Sequence, residues 1–255
     1  MKILFNKFKI NNYTYLFFLI CSFCGYLKNI SIIFLICTIH ELGHVFFIKL
    51  FKYEIDSIEL FPFGGLTTTN KKINSSINKD LIINFGGILF QLIFILLIVA
   101  FKNRFNIITY NLYINYNKIL ILFNLLPIIP LDGNNILHLL LEKFLSYKLS
   151  YKINFIISTI VLIIFLIINY IYNIDNYFII SFLIYKGITY LKNYKYLKNR
   201  FLLERYLYDF EYKKIDNTTK NINSLKKEVL HFFKEDNKYI KETKKIEKML
   251  YKNSN

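Results

Sequence analysis

Residues Leu81–Phe101 read LIINFGGILFQLIFILLIVAF, without one Asp, Glu, Lys or Arg. Wound as a helix, the stretch is about 31 Å long, the thickness of a bilayer's hydrocarbon core. Its apolar residues are continuous, whereas a strand of a membrane barrel would alternate, so the barrel class is excluded. Similar runs lie on both sides, at Tyr13–Tyr26, Ile30–Leu50, Ile107–Leu126, Ile153–Ile171 and Tyr177–Leu191. The chain therefore reads as an all-α polytopic membrane protein with about six transmembrane helices. Its 55% hydrophobic and 20% charged content also rules out disorder, collagen and a small disulfide scaffold.

Between the second and third runs lie some thirty mostly polar residues, Phe51–Asp80. There Tyr53–Leu60 alternates polar and apolar, and Gly64–Gly65 precede Thr67–Thr69. That pattern predicts a short β-hairpin. Lys2, Lys7 and Lys9 precede the first run with no small-residue cleavage site, so the run is expected to stay as a helix. Lysines crowd the segments on the N-terminal side of the membrane and are sparse in the alternate loops, which predicts both termini in the cytoplasm. Expected domains are an intramembrane unit over 1–191 and a charged cytoplasmic tail over 192–255.

The tail holds 17 Lys/Arg against 9 Asp/Glu, half of the formal net charge of +16. Phe201–Tyr208 and Leu225–Phe233 have helix-like apolar spacing, so the tail is expected to be helical. No nucleic-acid motif accompanies the charge. Attraction to anionic headgroups of the lipid bilayer, or a solvated helical face, is the reading, with no nucleic-acid partner. Cys21, Cys24 and Cys37 all sit in apolar runs and form no disulfide framework. The CxxC of Cys21 and Cys24 lacks a second pair and reads as small helix residues. No internal repeat suggests a two-halved transporter.

The chemistry is concentrated in the second run, CTIHELGHVFF, with His40, Glu41 and His44. Positions four apart share a helix face, so both imidazoles can bind one Zn²⁺, with Glu41 one step round to serve water beside it. Each ionisable residue at membrane depth costs about 2.5–3.5 kcal/mol on insertion scales, which makes this cluster a functional hypothesis. A polar seam between helices is the plainer alternative. Catalytic zinc commonly takes three protein ligands. Of the other histidines, His231 lies in the charged tail, and His138 suits a polar or interfacial position. Among the carboxylates Asp132 stands out, in NLLPIIPLDG (Asn124–Gly133), where two prolines open the helix. Broken backbone at membrane depth must pack in protein or line a wet cavity. A helix-capping Asp is the alternative there.

HELGH in one membrane helix and NLLPIIPLDG in a later one together resemble the site-2 protease family of intramembrane zinc metalloproteases. PFGG at Pro62–Gly65 and the six-helix layout resemble its sporulation branch. The resemblance covers about Ile30–Leu141. It implies that His40, His44 and Asp132 hold one Zn²⁺ per chain and that Glu41 is the general base. It implies substrate or transition-state support from Asn124, with Pro127 and Pro130 shaping the Asp132 segment. The family's third-helix motif is reduced to Phe85-Gly86-Gly87 with Gln91 downstream, which leaves Gln91 without an assigned role. Asn134 and Asn135 stand where the family often has Gly and Arg. No nucleotide-sensing module is expected in the tail.

The expected activity is hydrolysis of a peptide bond in a membrane-associated protein of a bacterial cell membrane. The hairpin, through Phe63 and Gly64, is expected to pair with an extended substrate strand. The sporulation branch implies a sigma-factor precursor as substrate and small inhibitory or regulatory membrane partners. Relatives that cut anti-sigma factors or signal-peptide remnants offer an alternative. A non-catalytic scaffold would lack a ligand or the base. A metal transporter would spread ionisable residues over several spans, and here they lie in one helix and one loop.

Overall fold

The computed structural model describes residues 8–10, 12–61, 64–171, 177–219, 221–235 and 238–252. The chain is mostly helical and divides into two compact units, Met1–Lys71 with Leu81–Leu125, and Lys72–Asp80 with Leu126–Asn255.

The first unit holds β1 (Phe8–Ile10), α1 (Asn12–Phe23), α2 (Leu27–Leu50), β2 (Ile55–Phe61), β3 (Gly64–Thr69), most of α3 (Ile77–Ala100) and α4 (Ile107–Asn124). Helix α2 ends because Lys52 turns to φ 60° and the Tyr53 N–H closes back on the Ile48 carbonyl, satisfying a terminal acceptor. The chain then enters a three-stranded sheet of order β1-β2-β3, with β1 parallel and β3 antiparallel to β2. A register shift between Ile55 and Ser57 lets Ile55 and Ile58 both turn inward. They pack with Val45, Ile48 and Ile83, so the sheet is fastened to α2 and α3. Helix α4 starts at Asn106, whose side chain accepts from the Thr109 N–H at 2.7 Å.

Helices α2 and α3 approach closely because both are glycine at their contact. A Cβ on Gly43 would stand 2.2 Å from the Gly86 carbonyl oxygen, which is backbone with no room to yield. Phe46 and Phe90 extend the contact at 5.5 Å. On the other side Asn117 of α4 donates to the Gln91 carbonyl at 3.2 Å.

The second unit holds the first turn of α3, α5 (Asp132–Phe144), α6 (Tyr147–Ile171), α7 (Tyr177–Leu207), β4 (Lys214–Thr219), β5 (Val229–Glu235), β6 (Lys238–Lys241) and α8 (Glu242–Lys252). Its aromatic centre stacks Tyr147 on Phe201 at 4.3 Å, packed with Leu202, Leu225, Phe233 and Ile246.

Among the described residues three helices are long and apolar enough to cross a membrane: Leu27–Leu50, Ile77–Ala100 and Tyr147–Ile171. They mark the chain as a membrane protein. The other three expected runs also form helices, α1, α4 and α7. At 12 residues α1 is shorter than a span requires.

The tail differs from the helical expectation. Helix α7 continues through the expected boundary at 191/192 to Leu207, taking in most of Phe201–Tyr208. Most of Leu225–Phe233, by contrast, is turn and strand. Strand β5 lies in a sheet of order β4-β5-β6, parallel to β4 and antiparallel to β6, and α8 follows. Among the described residues of β5 those buried are His231 and Phe233, two apart, so the true period is that of a strand. A short apolar patch of that size fits both periods on paper.

Candidate metal centre

His40, Glu41 and His44 lie midway along α2, and His40 and Glu41 are buried. Each imidazole is oriented by α3. The Ile83 carbonyl accepts from His44 Nδ1 at 2.8 Å; since a carbonyl only accepts, that nitrogen carries the proton. Gln91 Oε1 likewise accepts from His40 Nδ1 at 2.9 Å. Both Nε2 atoms then present lone pairs, and they lie 3.0 Å apart. Two lone pairs at that separation repel unless a cation lies between them or one ring is protonated. Imidazole Nε2 donors with their Nδ1–H groups anchored are the arrangement seen around protein-bound zinc. The residues of this unit therefore fit a bound Zn²⁺.

Gly87 makes room for this pair, because a Cβ there would lie 2.5 Å from His40 Cε1. Gln91 follows one turn later on the same face of α3. Sequence reasoning left Gln91 unassigned. The signal was its spacing of four from Gly87, the residue that lets the helix come under the ring.

Glu41 is held from the sheet. Thr67 Oγ1 donates to Glu41 Oε2 at 3.2 Å. A Cβ on Gly65 would fall 2.3 Å from Glu41 Cγ, so strand β3 passes directly beside the carboxylate. The sequence marked Gly65 and Thr67 only as hairpin residues, Gly65 also within PFGG, and not as neighbours of Glu41, because only the fold sets a strand against a helix mid-point.

The other expected residues are placed as follows. Asp132 is the first residue of α5, in the second unit, and its side chain is half-buried. Asn124 is the last residue of α4. Pro127 and Pro130 lie in the non-helical segment between α4 and α5, where the Ile129 N–H donates to Ser158 Oγ at 2.9 Å. Gly64 opens β3 opposite Phe61, and Phe63 lies outside the described residues. His138 is half-buried on α5, with its ring edge-on to Tyr151 at 5.9 Å and its Nε2 3.9 Å from Glu142 Oε1. His231 is fully buried in the tail sheet.

A family model described as peptidase family M50 matches residues 29–110. The chain is 32% identical over 126 residues to stage IV sporulation protein FB of Bacillus subtilis, covering 49% of this chain and 44% of that protein. It is 32% identical over 121 residues to a zinc metalloprotease of Methanocaldococcus jannaschii, covering 46% of this chain and 35% of that one. These alignments span less than half the length of either curated relative. The solved site-2 protease from Methanocaldococcus jannaschii has a similar fold, with a TM-score of 0.56 and 24% identity over 72% of this chain and 90% of that chain.

Proposed function

From the premise that residues 29–110 carry a peptidase family M50 domain, we propose that the chain is a zinc endopeptidase acting on membrane-associated proteins. In this reading His40, His44 and Asp132 would hold the ion, and Glu41 would be the general base. The observation that carries this reading is the pair of anchored imidazoles, with Nε2 atoms 3.0 Å apart and Glu41 between them in sequence. Asp132 supports it as an acidic residue opening α5 directly after a proline-broken segment.

A zinc ion held there supplies Lewis acidity to water and to the scissile carbonyl. Glu41 accepts the proton of the attacking water and returns it to the leaving nitrogen. Thr67 orients the carboxylate by binding Oε2, which leaves Oε1 for the water. Asn124 supports the transition state at the end of α4, and Pro127 and Pro130 hold the approach to Asp132 open. In the sheet order β1-β2-β3, strand β3 is an edge. A substrate unwound from its helix adds to that edge, beginning near Phe63 and Gly64, and so runs past Gly65 to Glu41. The substrate is a sigma-factor precursor, a reading that rests on the similarity to stage IV sporulation protein FB. Both termini face the cytoplasm in this reading, the orientation that the lysine distribution favours.

The test is co-expression of such a precursor in membranes with the native chain or Glu41→Gln. A shortened product with the native chain alone supports both the base and the substrate. Equal cleavage by both chains would overturn the mechanism. Absence of product with normal zinc content would overturn the substrate.

A further inference from the structure

The sequence presents the tail as solvated charge, yet one of its lysines is among the most enclosed charges of the second unit. The Lys227 side chain is 4% exposed, with Nζ 3.2 Å from Asp80 Oδ2 and 3.4 Å from Glu142 Oε2. Burial alone would drive its pKa down, but Glu142 and Asp80 reverse this and raise it above the ordinary lysine value. Lys227 is thus a fixed cation between two carboxylates.

The turn that delivers it is itself locked. The Lys226 N–H donates to His231 Nε2 at 2.9 Å, and the Lys226 carbonyl accepts from Arg205 Nη1 at 3.1 Å. Arg205 is paired in turn with Glu242. Glu228 Oε1 accepts the N–H of Ile77, the first residue of α3, at 2.9 Å. Two consecutive tail residues therefore grip the start of α3, one by its backbone and one through Asp80.

What they grip matters for the metal. Helix α3 carries Asp80 in its first turn. Helix α5 opens on Asp132 and carries Glu142 ten residues later, about 15 Å along its axis. Its approach is tied at the other end by Ile129 to Ser158. We propose that Lys227 is a positioning residue for Asp132: by tying Glu142 of α5 to Asp80 it sets the axial position and rotation of the helix that opens on Asp132. The proposal rests on the reading of Asp132 as third ligand.

The experiment measures zinc dissociation from the full chain in detergent, by competition with a chelator, with helical content followed by circular dichroism. The triple variant Lys227→Met, Asp80→Asn, Glu142→Gln, which replaces all three charged groups by uncharged ones, is expected to keep its helices and bind zinc about 10–100-fold more weakly, as supporting-residue substitutions do. Lys227→Arg is expected to stay within about threefold of native, since it keeps both ion pairs. Native affinity in the folded triple variant would overturn the proposal, as would a loss in Lys227→Arg equal to that of the triple. Should the triple fail to fold, Glu142→Gln alone leaves Lys227 paired with Asp80 and is expected to weaken zinc by about tenfold; unchanged affinity there would overturn the proposal. Asp132→Asn separates the two ideas. If it binds zinc normally, the ligand reading itself fails; if it loses zinc while the triple does not, only the positioning role fails.

Discussion

Gln91 Oε1 stands 2.9 Å from His40 Nδ1, on a side chain with no solvent exposure. A buried amide oxygen at that nitrogen fixes the ring's tautomer and its rotation together, and leaves Nε2 as the donor atom. Helix α3 thus does for His40 with a side chain what it does for His44 with the Ile83 carbonyl.

Gln91→Leu removes that acceptor and is expected to weaken zinc binding about 10–100-fold, while Gln91→Glu retains an acceptor and stays close to native. Chelator competition distinguishes them. Equal affinities for native and Gln91→Leu would show that the ring is oriented by something else.

Gly43→Ala is expected to separate α2 from α3, because its Cβ would meet the Gly86 carbonyl oxygen at 2.2 Å. The cost is about 1–3 kcal/mol, read as a lower melting temperature in detergent together with lost zinc. Gly187 is the control. Nothing lies within 4 Å of a Cβ there, so Gly187→Ala is expected to be neutral or to stabilise α7 by up to about 1 kcal/mol.

Gly65→Ala pushes a methyl group against Glu41 Cγ and displaces the proposed base without touching either imidazole. Cleavage is expected to fall about 100-fold with zinc content unchanged, as an ångström-scale misplacement of a reacting group does. A parallel loss of zinc would show that the strand supports the ligands and not the base.

The tail should soften in mild acid. Burial holds the His231 pKa below its ordinary 6.5, Arg205 adds to this, and Glu242 and Asp216 oppose it. Its Nε2 accepts the Lys226 N–H at 2.9 Å, a bond available only to the neutral ring, while Nδ1 meets Thr219 Oγ1 at 2.6 Å. Since the folded value is the lower one, this stability is fully present above about pH 6.5 and is lost as pH falls from there through the folded pKa. Hydrogen exchange of the β5 amides at pH 7.5 and 5.5, corrected for intrinsic rates, should show protection falling in the native chain. His231→Gln should show a flatter response, and identical pH responses would assign the softening to another group.

The membrane class and the paired histidines were legible in the sequence because each depends on local pattern: a charge-free run long enough to cross, and two imidazoles one helical turn apart. Helix limits were readable where the apolar run itself stops, as at Leu50, and not where a charged helix continues, as in α7 beyond Leu191. The strand at Val229–Glu235 was hidden because HFF in a basic setting carries no decisive period. The contacts of Gln91, Thr67, Gly65 and Lys227 escaped for a common reason. Their partners are 51, 26, 24 and 147 residues distant, and only tertiary structure makes such pairs visible.

Those long separations also impose an order on biosynthesis. Asp80 leaves the ribosome 147 residues before Lys227, and Glu142 leaves 85 residues before it. At translation rates of roughly 5–20 residues per second, the second carboxylate waits about 4–17 s for its cation. During that interval α3 and α5 are already made, but the charge that ties them has yet to emerge from the ribosome. A nascent chain interrupted anywhere before Lys227 therefore lacks this tie, however many of its hydrophobic segments have already entered the bilayer.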